Sequence, residues 1–259
     1  MRIYYQSFLD REHQPSYFER LEEFLATVVD PGTEIEVGGI SPPDSHPCRL
    51  SELRGGLQTV GNIIDAEERG FDAAIIGHFQ DAGLYEARTA VDIPVLGLGE
   101  ASMMNAGQLG RGVGLVTIDD VYLTWHREQA DVYGIPDRLI GVTALKTPFE
   151  DLMAAFDDAE VWARVRDEFI ACARPLVAAG AEVVLSAGGI FCTLSAREPE
   201  MHVDGAVVPN SVAWVTKMAE VAVKLDLRPS RRSTFAKAPA PAIAEFREAA
   251  AALGGGSHA

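Results

Sequence analysis

Cysteine is scarce in this chain: Cys48, Cys172 and Cys192 are the three in 259 residues. So few thiols, so widely scattered, exclude a disulfide framework and the paired spacing of a zinc ribbon. Basic residues are also short, with 22 Lys+Arg against 38 Asp+Glu and a formal charge of −16. That charge repels a phosphate backbone, and no basic stripe with interleaved aromatics offsets it, so nucleic-acid binding is not expected. The one basic cluster, Arg228 to Arg232, is brief and lies in a Pro/Ala-rich linker. No run reaches the ~20 apolar residues of a membrane span. The opening MRIYYQSFLD lacks the apolar core of a secretory signal. These absences predict a reduced, cytoplasmic protein without membrane partners.

What the chain does contain is alternation. Short β-rich runs are predicted at Ile3–Gln6, Glu34–Gly38, Ala73–Gly77, Val95–Leu98, Gly112–Thr117, Leu139–Thr143, Glu182–Ala187 and Ala206–Val208. Helical stretches fall between them, near 16–29, 49–69, 100–109, 119–133, 149–156, 158–179 and 209–225. This is the pattern of a parallel α/β fold. In the helix over 158–179, Val161, Val165, Phe169 and Cys172 recur at helical period, so Cys172 reads as a core residue. After Leu227 a linker leads to a short helix, IAEFREAAAAL, and GGGSHA reads as a flexible end that removes His258 from the functional argument.

Eight strands in two sets of four predict two similar halves. Residues 70–78, GFDAAIIGH, match 180–188, GAEVVLSAG: a helix-ending Gly, an acid two positions on, an apolar strand, then small residues. Ligands of parallel sheets bind outside the carboxyl ends of strands, so these two ends are expected to face one cleft. The expected architecture is two pseudo-symmetric lobes, each a mostly parallel four-stranded sheet flanked by helices. Residues 1–100 plus 212–227 form the first, 101–211 the second, and 228–259 a linker, short helix and tail.

The block IIGHFQDAGLYEARTAVDIPVLGLGEASMMNAGQLG (75–110) resembles the hydantoin racemase branch of the aspartate/glutamate racemase superfamily. His78-Phe79-Gln80-Asp81-Ala82-Gly83-Leu84 stands where that family has Cys-Phe-x-Asp-x-Gly-Leu, followed by Ala87-Arg88 and the run Ile93 to Ala101. GVGLVT (112–117) and VVPNSVAWVTKMAE (207–220) resemble later family segments, and LSAGGIFCTL resembles a motif of arylmalonate decarboxylases. The resemblance implies an active site between two lobes, no cofactor and no metal. It also implies two proton-carrying thiols, one per lobe. Here the first position is His78. The second is Ala187 by the decarboxylase motif or Gly188 by counting from Gly180, and neither side chain carries a proton. The two-thiol mechanism is therefore absent, or Ala187 is a Cys→Ala replacement introduced to hold a ligand.

His78, just past an apolar strand, is the expected acid/base, because imidazole suits proton transfer near neutral pH. Asp81 is read as a cap of the following helix, and Glu100 as placed by a helix dipole. Gln6, Ser7, Phe79, Gln80, Thr117, Ser186, Gly189 and Asn210 are the expected substrate-binding residues, from turns where hydroxyls and backbone N–H groups converge on a carboxylate or enolate. Cys192 reads as a small buried hydrophobe, or as a displaced nucleophile. His46 and Cys48 do not by themselves make a metal site. His126 and His202 read as solvated. Three readings stay open: proton transfer at a carbon beside a carboxylate or cyclic amide (racemisation, isomerisation or decarboxylation), a hydrolase or lyase using His78 and an oxyanion hole, and an inactive binding homologue. The partner is a small carboxylate or cyclic amide, and homo-oligomerisation stays open.

Overall fold

The computed structural model describes residues 1–44 and 46–254, with side chains as far as 251. The closing residues 255–259, including His258, lie outside the described part. Two sheets organise the chain. The first holds β1 (Arg2–Gln6), β2 (Glu34–Gly38), β3 (Ala73–Ile76) and β4 (Val95–Gly97) in the order β2-β1-β3-β4, all parallel. The second holds β5 (Val113–Thr117), β6 (Leu139–Ala144), β7 (Val183–Ala187), β8 (His202–Val203) and β9 (Ala206–Val207) in the order β6-β5-β7-β9-β8. Its first four strands repeat the order of the first sheet, and β8 adds an antiparallel edge. The helices are α1 (Pro15–Val28), α2 (Arg49–Glu68), α3 (Leu84–Ala90), α4 (Leu98–Asn105) and α5 (Leu123–Val132), then α6 (Phe149–Ala154), α7 (Ala159–Ala178), α8 (Gly189–Ser195), α9 (Ser211–Lys224) and α10 (Ala240–Gly254). No helix among the described residues is long and apolar enough to cross a membrane.

The internal repeat has a physical basis. Gly70 and Gly180 both take positive φ, +78° and +109°, which ends α2 and α7 and turns the chain into β3 and β7. Asp72 then accepts the N–H of Arg2 at 2.7 Å, and Glu182 accepts that of Arg111 at 2.5 Å. Each acid thus ties the start of its strand to the neighbouring strand or its approach. β3 and β7 are buried along their whole length, as expected of central strands covered on both faces.

The long helices dock by amphipathic stripes. In α7 the buried stripe is Trp162, Val165, Phe169, Ala173 and Leu176, begun by Asp158, whose carboxylate accepts the N–H groups of Glu160 and Val161. The predicted stripe is therefore rotated by one residue at its ends, leaving Val161 and Cys172 half-buried at its flank. α9 packs on β3, β4, α1 and α4 of the first sheet. The basic linker is tied to the same side: Arg231 donates to the carbonyls of Arg88 and Val91 and pairs with Asp92 at 2.6 Å.

Candidate active site

The ends of β3 and β7 meet. A Cβ built on Gly189 would lie 3.1 Å from the carbonyl oxygen of Gly77, so the two turns pack tightly enough that any side chain there would press on its neighbour. Around this seam opens a cleft of about 790 Å³, lined by Ser7, Phe8, Asp10, His13, Tyr17, Gly77, His78, Gln80, Tyr122, Ala187, Gly188 and Gly189, among others. A second, apolar cavity of about 520 Å³ lies between α2, α3 and α10, with Glu52 on its lining.

His78 is held from two sides. Its ring stacks on Phe8 with centroids 4.1 Å apart and planes 7° from parallel. Its Nε2 lies 2.8 Å from both carboxylate oxygens of Glu52, an acid only 3% exposed, which also accepts from the Tyr122 hydroxyl at 3.3 Å. Because a carboxylate accepts, Nε2 carries the proton and Nδ1 is the nitrogen left to receive one. The pair is a carboxylate-oriented imidazole, the arrangement that fixes a catalytic base in one tautomer.

The loop that carries His78 is clamped by buried polar groups. Gln129 donates to the Phe79 carbonyl at 2.7 Å and accepts Nδ1–H of His126 at 2.7 Å. His126 Nε2 in turn accepts from the Thr117 hydroxyl at 3.1 Å. His126 is thus fully buried rather than solvated, and desolvation pushes it down to about 4, keeping it neutral. Asp81 caps a helix, but the helix is α4 and not the one that follows it in sequence. Its carboxylate accepts from the N–H groups of Gly99 (3.0 Å) and Glu100 (2.6 Å), and from the Tyr133 hydroxyl (2.6 Å). Burial raises this carboxyl to about 7 against those hydrogen bonds. Glu100 also makes a two-pronged ion pair with Arg88, at 2.9 and 2.5 Å, beyond any dipole effect.

Of the residues expected from sequence, His78, Ala187, Gly188, Ser7, Gln80 and Gly189 line the cleft. Gln6, Phe79, Thr117, Ser186 and Asn210 do not. Gln6 is buried, donating to the Ser7 carbonyl and accepting from Tyr4 and Asn62. Phe79 packs edge-on against His126, and Thr117 is committed to the same imidazole. Ser186 turns back to the Gly188 carbonyl at 3.4 Å. Asn210 caps α9 through Val212 and Ala213 and donates to the Cys192 carbonyl at 2.7 Å. Cys192 itself is buried, and desolvation raises its thiol above the ordinary range, so it is a packing residue. Cys48 is exposed at the start of α2, His46 and His202 are exposed, and no metal-binding cluster occurs among the described residues. Sequence reasoning missed Glu52, Phe8, Tyr17 and Tyr122. The signal for Glu52 was present: it heads the series Gly56, Thr59, Val60, Ile63 on the buried face of α2.

A model of the Asp/Glu/hydantoin racemase family matches residues 15–218. The chain belongs to this family. A hydantoin racemase from Pseudomonas sp. (strain NS671) is 29% identical over 207 residues, covering 78% of this chain and 80% of that protein. Among solved structures, allantoin racemase from Klebsiella pneumoniae has a TM-score of 0.78 at 23% identity, covering 92% of this chain and 94% of that one. A Gly74Cys mutant of arylmalonate decarboxylase has a TM-score of 0.53 at 14% identity, covering 86% and 94%. The fold is the family's, and the chain is a racemase-type enzyme.

Proposed function

We propose that this family member transfers a proton at the acidic carbon of a neutral cyclic amide, with His78 as its single acid/base and Glu52 orienting it. The observation that carries the reading is the Glu52–His78 pair at 2.8 Å, with His78 on the wall of the cleft. Nδ1 of His78 takes the proton from the carbon beside a carbonyl, the electron pair moves into the C–C bond and onto the carbonyl oxygen, and His78 returns a proton to the carbon. The opposite position, Ala187, offers only a methyl group. His78 alone therefore exchanges the proton on one face, with retention, and net inversion would need solvent to deliver the proton on the Ala187 face.

The charge of the cleft supports a neutral ring over a free carboxylate. Asp10, Asp44, Asp119, Asp120 and Glu150 line it, and Lys146, the Lys or Arg side chain among the described lining residues, is already paired with Asp120 at 2.5 Å. A dicarboxylate would meet unfavourable charge at every approach. The activity of the hydantoin racemase relative points to the same substrate class. Decarboxylation is the second reading: a single proton carrier suits it, and the arylmalonate decarboxylase neighbour shares the fold, but malonates are dianions.

The test is α-deuterium exchange in D₂O over a panel of hydantoins, substituted malonates, maleate and amino acids. His78→Asn is expected to lower kcat at least ~100-fold, within the usual 10²–10⁴-fold contribution of a general acid–base group. Cys192→Ala should retain activity. The reverse result, a normal His78→Asn and a dead Cys192→Ala, would move the chemistry to Cys192.

A further inference from the structure

The hydroxyl of Tyr17 lies at the seam between the two strand ends, and the reaction proposed above does not use it. Tyr17 is in the first turn of α1, which Pro15 opens, and α1 packs on α8, the helix that starts at Gly189. A Cβ on Gly189 would lie 3.5 Å from the Tyr17 oxygen and 3.1 Å from the Gly77 carbonyl. The phenol therefore abuts the glycine turns beside His78 and Ala187. Its ring is fixed edge-on by Phe18 and Phe156, at centroid distances of 5.2 and 5.6 Å.

The hydrogen bonds around it run in one direction. Leu9 N–H donates to Ser7 Oγ at 3.2 Å, and Ser7 Oγ donates to the Tyr17 oxygen at 3.2 Å. With Ser7 Oγ as the donor of that pair, the phenol's own proton has no other acceptor among the described residues. Tyr17 and Ser7 both line the cleft. An O–H of fixed position, with its oxygen already polarised by a second hydroxyl, is a donor waiting for an acceptor on the ligand.

We propose that Tyr17 is the oxyanion donor of this site: its O–H hydrogen-bonds the carbonyl oxygen next to the acidic carbon and holds the enolate that forms there. The proposal rests on the proton-transfer reading. As the C–H bond breaks, its proton goes to Nδ1 of His78 and its electrons reach the carbonyl oxygen. Tyr17 keeps its proton throughout, and the sequence reverses when His78 returns a proton to carbon. Desolvation raises the phenol to about 12, which keeps it a donor at neutral pH. Donors aimed at developing negative charge are typically worth ~10²–10³ in kcat.

The experiment compares wild type, Tyr17→Phe and His78→Asn in full-length protein, with thermal melting to check the fold. The first assay is exchange on the hydantoin panel, and the second is calorimetric binding of barbiturate, a cyclic imide that is an enolate near neutral pH. For Tyr17→Phe we expect kcat to fall ~100-fold with KM nearly unchanged and the shape of the pH profile preserved, because the lost group does not titrate in that range. A fall of less than about tenfold, or a change confined to KM, overturns the proposal. If His78→Asn remains active while Tyr17→Phe does not, the base assignment fails and the oxyanion donor stands. If wild type exchanges no panel member, barbiturate decides: binding at least about tenfold weaker in Tyr17→Phe supports the donor. Equal binding, or none to either protein, overturns it.

Discussion

Glu52→Gln separates orientation from charge at the His78 pair. The substitution preserves size and leaves an amide oxygen able to accept Nε2–H, so the imidazole keeps its position and tautomer. What disappears is the negative charge that stabilises the imidazolium as His78 takes a proton. With charge centres ~4 Å apart and an effective dielectric of ~20, that attraction is worth about 4 kcal/mol. At ~1.36 kcal/mol per decade, kcat should fall ~10³-fold. KM should hold, since the carboxylate lies behind the imidazole and not against the substrate. The assay is α-deuterium exchange followed by proton NMR on the best hydantoin, with melting curves for both proteins. A Glu52→Gln enzyme that melts like wild type and exchanges within about tenfold of its rate would refute the reasoning, because the buried carboxylate would then be a structural partner only.

Two other perturbations test the frame around the pair. Ala187→Cys places a thiol on the second strand end, and exchange with retention should then give way to loss of optical purity, measured by chiral chromatography of single-enantiomer hydantoins. His126, neutral in the fold and depressed to about 4, disfavours folding as pH falls from its unfolded value of ~6.5 toward 4, because the unfolded chain binds the proton first. The loss approaches ~3 kcal/mol at pH 4, so His126→Gln should show a correspondingly smaller drop in urea-unfolding free energy between pH 7 and 4. Asp81, raised to about 7, acts with the opposite sign and cancels in the comparison.

The frame was legible because it is written in long-range pattern. Apolar strands at regular spacing and the 70–78/180–188 repeat place β3 and β7 correctly, and the cleft with them. The elements missed, α3, α8 and β8, are short: seven residues in each helix and two in the strand. None is long enough to show a period, and tertiary contact decides them. The site was legible where a residue follows directly from a strand end, as His78 and Gly189 do. It was not legible where a polar residue of the same turn rotates inward, as Gln6 and Ser186 do, since side chains alternate across a sheet and a one-residue difference reverses the face. Tyr17 arrives from a helix distant in sequence, and although the spacing of α2 marks Glu52 as inward-facing, only tertiary packing brings it to His78.

The two halves therefore conserve geometry while differing in chemistry. Asp72 and Glu182 make the same hydrogen bond, Gly70 and Gly180 the same turn, and the strand orders agree. At the ends of these matching strands the symmetry stops. On one side an imidazole is stacked on Phe8, tied to a buried carboxylate and carried on a loop locked by Gln129 and Asp81. On the other, Ala187 and two glycines leave space and no titratable atom of their own. A pair of equal proton carriers would make the two faces of a planar carbon equivalent, whereas this arrangement distinguishes them. On the proposed reading, asymmetric chemistry requires no asymmetric scaffold: one histidine, the acid behind it and the phenol at the seam would supply a base to one face and a hydrogen-bond donor to the carbonyl edge.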